Sequence, residues 1–95
     1  MSDRFDELRR LIAENDHAIV AAVNERLRLV AELWELKRER GEPTLDPERE
    51  RALRTALADG SAGRLSPEGL DRLVTTLLDL TKAELDASSR AETRG

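Results

Sequence analysis

The chain has no cysteine, no tyrosine and a single histidine, His17. Without cysteine there can be no disulfide and no thiolate-held metal. A lone histidine with no clustered partners in sequence offers no structural zinc site. Aromatic residues make up only 2% of the chain, Phe5 and Trp34, while charged residues make up 38%. That mix suits amphipathic helices better than a β-sandwich. Apolar runs are only a few residues long, so nothing reads as a membrane span. The opening MSDRFDELRR is charged and lacks the apolar core of a signal peptide, so a cytoplasmic location is expected. Basic and acidic residues are interleaved at a net charge of −4, without the basic patch of a nucleic-acid-binding protein.

What is present is a helical pattern in 95 residues, enough for one small domain. Ser2 or Asp3 can cap a first helix, with Asp6 and Glu7 favourably placed in its first turn. Apolar or small residues then recur at spacings of three and four: Phe5, Leu8, Ile12, Ile19, Ala22, Leu29, Leu33 and Leu36. No proline or glycine intervenes before Gly41, so the helix is expected to run to about Arg40. At 1.5 Å per residue that is roughly 55 Å, against a diameter of about 30 Å for a compact globule of this length. The stripe must therefore be covered by another long helix, most simply its own copy in a twofold dimer.

Gly41, Glu42 and Pro43 end this helix. Asp46-Pro47 reads as a cap followed by proline at the first helical position, opening a short helix over about 47–59. GSAGR at 60–64 is a flexible connection, and Ser66-Pro67 repeats the cap-plus-proline start. The third helix carries Leu70, Leu73, Val74, Leu77, Leu78, Thr81 and Leu85 on one stripe. The helical domain is expected over 1–87, with SSRAETRG (88–95) as a disordered tail. The fold class is all-α: three helices, long, short and medium, in an intertwined homodimer with paired first helices.

Within VNERLRLVAELWELK (23–37), two cations fall on the apolar stripe, Arg26 and Lys37. Long side chains can snorkel from a core edge, and polar residues can set the register of paired helices, a role that suits Asn15. On the second helix, Asp46, Arg49 and Glu50 begin the face that continues with Leu53, Ala56 and Leu57; DPERE is also an ordinary helix opening. Taken with Arg26 and Lys37, however, these residues imply a polar pocket with apolar walls. Buried charges are costly unless they are paired or meet a charged ligand. The natural guest is a small anion with one or two carboxylates, which arginine grips in bidentate fashion. The other charges, Glu7, Arg10, Glu32, Glu35 and Arg38, read as a solvated face. His17 reads as surface, and Trp34 as packing at the stripe's margin or against the third helix.

LRRLIAENDHAIVAAVNERLRLVAELWELK followed by DPERE resembles the all-helical, AroQ-type chorismate mutases, from about Leu8 to Leu85. The resemblance implies three helices in an intertwined dimer that converts chorismate to prephenate, on the route to phenylalanine and tyrosine, without a cofactor. It implies that Arg9 reaches into the partner subunit's site, and the offset of about 100° between Arg9 and Arg26 suits a residue serving a different pocket. It further implies that Arg26 clamps a substrate carboxylate and that Lys37 donates to the ether oxygen. Asp46 and Glu50 would lie near the substrate hydroxyl, Arg49 would support the pocket, and Thr81 would stand where the family often has Ser. Lys37, Arg26 and Glu50 are the expected catalytic residues.

One position departs from the family pattern. Four residues after Thr81 the family usually carries Gln, or a protonated Glu, as a second donor to the ether oxygen. Here that place holds Leu85, and Glu84, one residue earlier, is rotated by about 100°. The departure keeps open isochorismate pyruvate lyase or 4-amino-4-deoxychorismate mutase activity. A non-catalytic helical dimerisation module ranks third. Small mutases of this kind can depend on a shikimate-pathway synthase as partner, and such a partner is a further expectation.

Overall fold

A computed structural model describes residues 3–60 and 63–94, with side chains through Asp86. Among the described residues the chain forms three α-helices and no strand: α1 (Asp3–Glu39), α2 (Pro47–Gly60) and α3 (Pro67–Arg94). The all-α expectation holds, and each boundary but one falls within a residue or two of its sequence signal. The exception is the C-terminal end, where the backbone of α3 stays helical to Arg94, through most of the segment set apart as a tail. Ser2, one of the two caps considered for α1, lies outside the described residues, as do Ser61 and Ala62 of the GSAGR connection.

The helix ends are built from the residues that signalled them. Gly41 adopts a left-handed φ of 70°, a conformation that a Cβ disfavours. The Glu42 N–H then donates to the Lys37 carbonyl at 2.8 Å, and the Gly41 N–H to the Arg38 carbonyl at 3.1 Å. These two bonds form a Schellman cap that satisfies the last carbonyls of α1. Asp46 Oδ1 accepts the N–H groups of Glu48 and Arg49, each at 3.2 Å, and so caps α2. Ser66 Oγ accepts the Gly69 N–H at 3.0 Å and caps α3 in the same way.

α3 lies between the other two helices and packs against both. Its inner row is Leu70, Val74 and Leu78, with Leu53 of α2 against it. Arg54 also ties α2 to α3, donating to Asp71 Oδ1 at 2.6 Å and to Thr75 Oγ1 at 2.9 Å. Trp34 is buried on the α1 side, as its place beside the stripe suggested. Leu73, read as part of the inner row of α3, is instead 48% exposed.

α1 carries two apolar faces where the sequence reading saw one. Val23, Val30 and Trp34 are partly or fully buried, whereas Ile19, Leu29, Leu33 and Leu36 are about half exposed. Projected at about 100° per residue, Val23, Val30 and Trp34 lie on one side of Arg26 and Leu29, Leu33 and Leu36 on the other, with Ile19 close to the line of Arg26 itself. Arg26 and Lys37 therefore run along the seam between them. Farther out, every described residue from 3 to 22 is exposed, including Phe5, Leu8, Ile12 and His17. The chain accordingly measures 60 × 34 × 16 Å, with a radius of gyration of 17.3 Å, well above the roughly 12 Å of a compact globule this long.

The outer face carries local ion pairs, among them Arg4–Glu7 at 3.2 Å, Arg10–Glu14 at 2.8 Å and Arg28–Glu25 at 2.6 Å. The hydrogen bond from Arg28 holds the Glu25 carboxyl below the usual carboxylate range. Exposed pairs of this kind contribute little to stability.

Candidate active site

Where α1, α2 and α3 approach one another, a cavity of about 220 Å³ opens along the seam of α1. It has two kinds of wall. Val30, Leu33, Trp34, Leu45, Leu53 and Leu78 supply apolar surface; Arg26, Lys37, Thr44, Asp46, Arg49, Glu50, Thr81 and Lys82 supply polar groups. A small volume with apolar walls and a few convergent polar groups is the usual form of a small-molecule site. A larger hollow of about 430 Å³ lies between α2 and α3 around Arg54. Its guanidinium is already bonded to Asp71 and Thr75, which leaves that hollow little with which to grip an anion.

Six of the eight residues singled out in the sequence line the seam cavity: Arg26, Lys37, Asp46, Arg49, Glu50 and Thr81. Arg26 and Thr81 meet directly. The guanidinium donates to Thr81 Oγ1 at 2.5 Å, and the hydroxyl in turn donates to the Leu77 carbonyl at 2.6 Å. Because the hydroxyl proton goes to its own helix, the lone pairs of Thr81 are left to receive Arg26. Thr81 is 5% exposed, the one buried polar side chain among the described residues. The guanidinium is thus oriented before any ligand arrives.

Lys37 stands in the last turn of α1, where a cation also opposes the negative end of the helix dipole. The Schellman cap fixes its carbonyl, and its Nζ reaches the Thr44 carbonyl across the turn at 3.4 Å. That contact is long for a hydrogen bond, so the ammonium keeps its donors for another acceptor. Asp46 is engaged through Oδ1 in capping α2, so this cavity residue also has a structural part. Arg49 lines the cavity but is exposed, with no side-chain partner among the described residues.

Arg9 and Leu85 do not line the cavity. Arg9 sits on the protruding third of α1, with its guanidinium 4.5 Å from the centroid of the Phe5 ring, a cation–π contact at an exposed position. Leu85 is half-buried one turn beyond Thr81.

Sequence reasoning missed Lys82. Its Nζ lies 3.2 Å from Glu50 Oε1, joining α3 to α2 across the cavity. Lys82 is not on the apolar stripe of α3, so periodicity gave no signal; only the placement of α2 brings Glu50 to it. With Lys82 counted, the cavity presents four cations, Arg26, Lys37, Arg49 and Lys82, against two carboxylates. Such an excess suits a dianion.

Comparison with known proteins agrees with the geometry. No curated protein and no solved structure matches the chain significantly. Residues 8–84 match the family model of chorismate mutase type II, a span that holds every cavity residue, and the chain belongs to that family.

Proposed function

We propose that the protein is a homodimeric chorismate mutase that rearranges chorismate to prephenate. The observation that carries this reading is the convergence of Arg26, Lys37, Arg49 and Thr81 on one apolar-walled cavity within the span matched by the family. The reaction breaks a C–O bond and forms a C–C bond within one molecule, so it needs no nucleophile. A protein accelerates it by holding the reactive diaxial conformer and by placing donors where negative charge develops on the ether oxygen. Arg26, oriented by Thr81, grips one carboxylate, and Arg9 of the partner subunit grips the other. Lys37 donates to the ether oxygen. Glu50 accepts from the ring hydroxyl.

The dimer reading rests on the outer face of α1, where Phe5, Leu8, Ile12, Ile19, Leu29, Leu33 and Leu36 are 42–60% exposed. Soluble monomers rarely leave so long an apolar stripe uncovered. Pairing two α1 helices would cover it and carry each Arg9 away from its own cavity toward the other. Leu85 favours a second reading, lyase chemistry on isochorismate, because the usual second donor to the ether oxygen is missing.

The test is to mix purified protein with chorismate, follow its loss by ultraviolet absorbance, and identify the product by mass and by acid conversion to phenylpyruvate. Prephenate is the expected product. Release of pyruvate with a hydroxybenzoate from isochorismate, without prephenate from chorismate, would establish the lyase instead. Absence of turnover, alone and with a shikimate-pathway synthase added, would overturn both.

A further inference from the structure

Lys82 lines the cavity, yet neither the helical pattern nor the resemblance to the family assigns it a role. Its ion pair with Glu50 has one bland explanation, a cross-link between α2 and α3. That explanation is weak on two grounds. The two side chains are 37% and 30% exposed, and partly exposed pairs add little stability. The same two helices are already joined by Leu53 against the α3 row and by Arg54 bonded to Asp71 and Thr75.

The acids of the cavity also differ in what they are free to do. Asp46 accepts two backbone N–H groups through Oδ1. Glu50 makes no such bond; its partner is Lys82. The cavity carboxylate that carries no backbone cap bonds therefore comes with an ammonium at hydrogen-bond distance.

We propose that Glu50 and Lys82 together read the ring substituent of the substrate and select a hydroxyl over an amine. This rests on the dicarboxylate reading above and names the specificity of that site. A hydroxyl both donates and accepts, so it can donate to Glu50 while accepting from Lys82. An ammonium only donates. It could bond Glu50, but only by sitting within a few ångströms of the like charge on Lys82, with one of its neighbours repelled. Specificity built on such a repulsive element is a difference of affinities, not a gain for the preferred ligand alone. A cavity with Glu50 and no Lys82 would instead favour the cation.

The experiment compares wild type, Lys82→Met and Lys82→Arg on chorismate and on 4-amino-4-deoxychorismate. It reads kcat/KM by absorbance, Kd by titration calorimetry, and melting temperature. Wild type is expected to prefer the hydroxyl compound by about tenfold or more, Lys82→Arg to keep the preference, and Lys82→Met to abolish or reverse it with the melting temperature nearly unchanged. An unchanged ratio in Lys82→Met, with or without a lower melting temperature, would overturn the proposal and leave the pair a cross-link. If wild type binds both compounds but turns over neither, the mutase reading fails. The Kd ratios then decide for Lys82 by the same criterion. Failure to bind either compound would overturn both.

Discussion

Arg26 and Thr81, 55 positions apart, share a 2.5 Å hydrogen bond that orients the cavity's innermost guanidinium. The bond works because Thr81 first satisfies its own proton on the Leu77 carbonyl and so faces Arg26 as an acceptor. Replacing Thr81 with Val keeps the volume and removes the acceptor. KM for chorismate is expected to rise about tenfold, equivalent to losing one hydrogen bond to a charged group, with kcat less affected. Arg26→Ala should go further and lower kcat/KM by about a hundredfold or more, damaging both binding and turnover. Steady-state kinetics on the two variants separate these outcomes. Wild-type values for Arg26→Ala would make its place on the seam purely structural.

Lys37 is expected to act mainly in the transition state. Lys37→Ala should lower kcat by about 10²- to 10³-fold, the scale of a lost oxyanion-type donor, while KM moves much less. A change confined to KM would remove Lys37 from the ether oxygen.

Gly41 links the backbone to the same chemistry. Nothing lies within 4 Å of a Cβ built at this position, so Gly41→Ala meets no clash and reports only the strain of the left-handed φ. The expected loss is about 1–2 kcal/mol by urea unfolding. Part of the turnover should go with it, because the cap bonded to the Lys37 carbonyl sets where that side chain starts.

The outer face of α1 predicts assembly. Ile12→Glu and Ile19→Glu place charges in the middle of the exposed stripe and should give monomers by light scattering with little activity. A melting temperature that rises with protein concentration in wild type but not in the variants would agree with this.

Subunit complementation tests Arg9 directly. Arg9→Ala and Arg26→Ala should each be nearly inactive, yet random mixing of the two should restore about a quarter of wild-type activity, since half the dimers are mixed and each of those has one intact site. No recovery on mixing would mean that Arg9 serves its own subunit or none.

Much of this was legible without coordinates because it is local. A cap acts over three residues, a proline over one turn, and a helical period over a dozen. Asp46-Pro47, Ser66-Pro67 and Gly41 therefore marked their helix boundaries closely. The spacing of Arg26, Lys37, Asp46, Arg49 and Glu50 likewise marked a polar pocket, since 3–4 spacing on a rigid helix sets which side chains share a face. The length of α1 alone showed that its stripe could not be covered by so short a chain.

What the tertiary structure decided was non-local. Where α3 lies against α1 is set by packing between the helices, with Val30 and Trp34 meeting Leu78 and Thr81 around one cavity, not by any periodicity within α1. That placement covered a second apolar face of α1, left the stripe read from the sequence uncovered, and put Arg26 and Lys37 on the seam between the two. It also brought Thr81 to Arg26 and Lys82 to Glu50, contacts across 55 and 32 positions that no helical repeat encodes. A lysine outside an apolar stripe looks like any solvated charge until another helix delivers its partner.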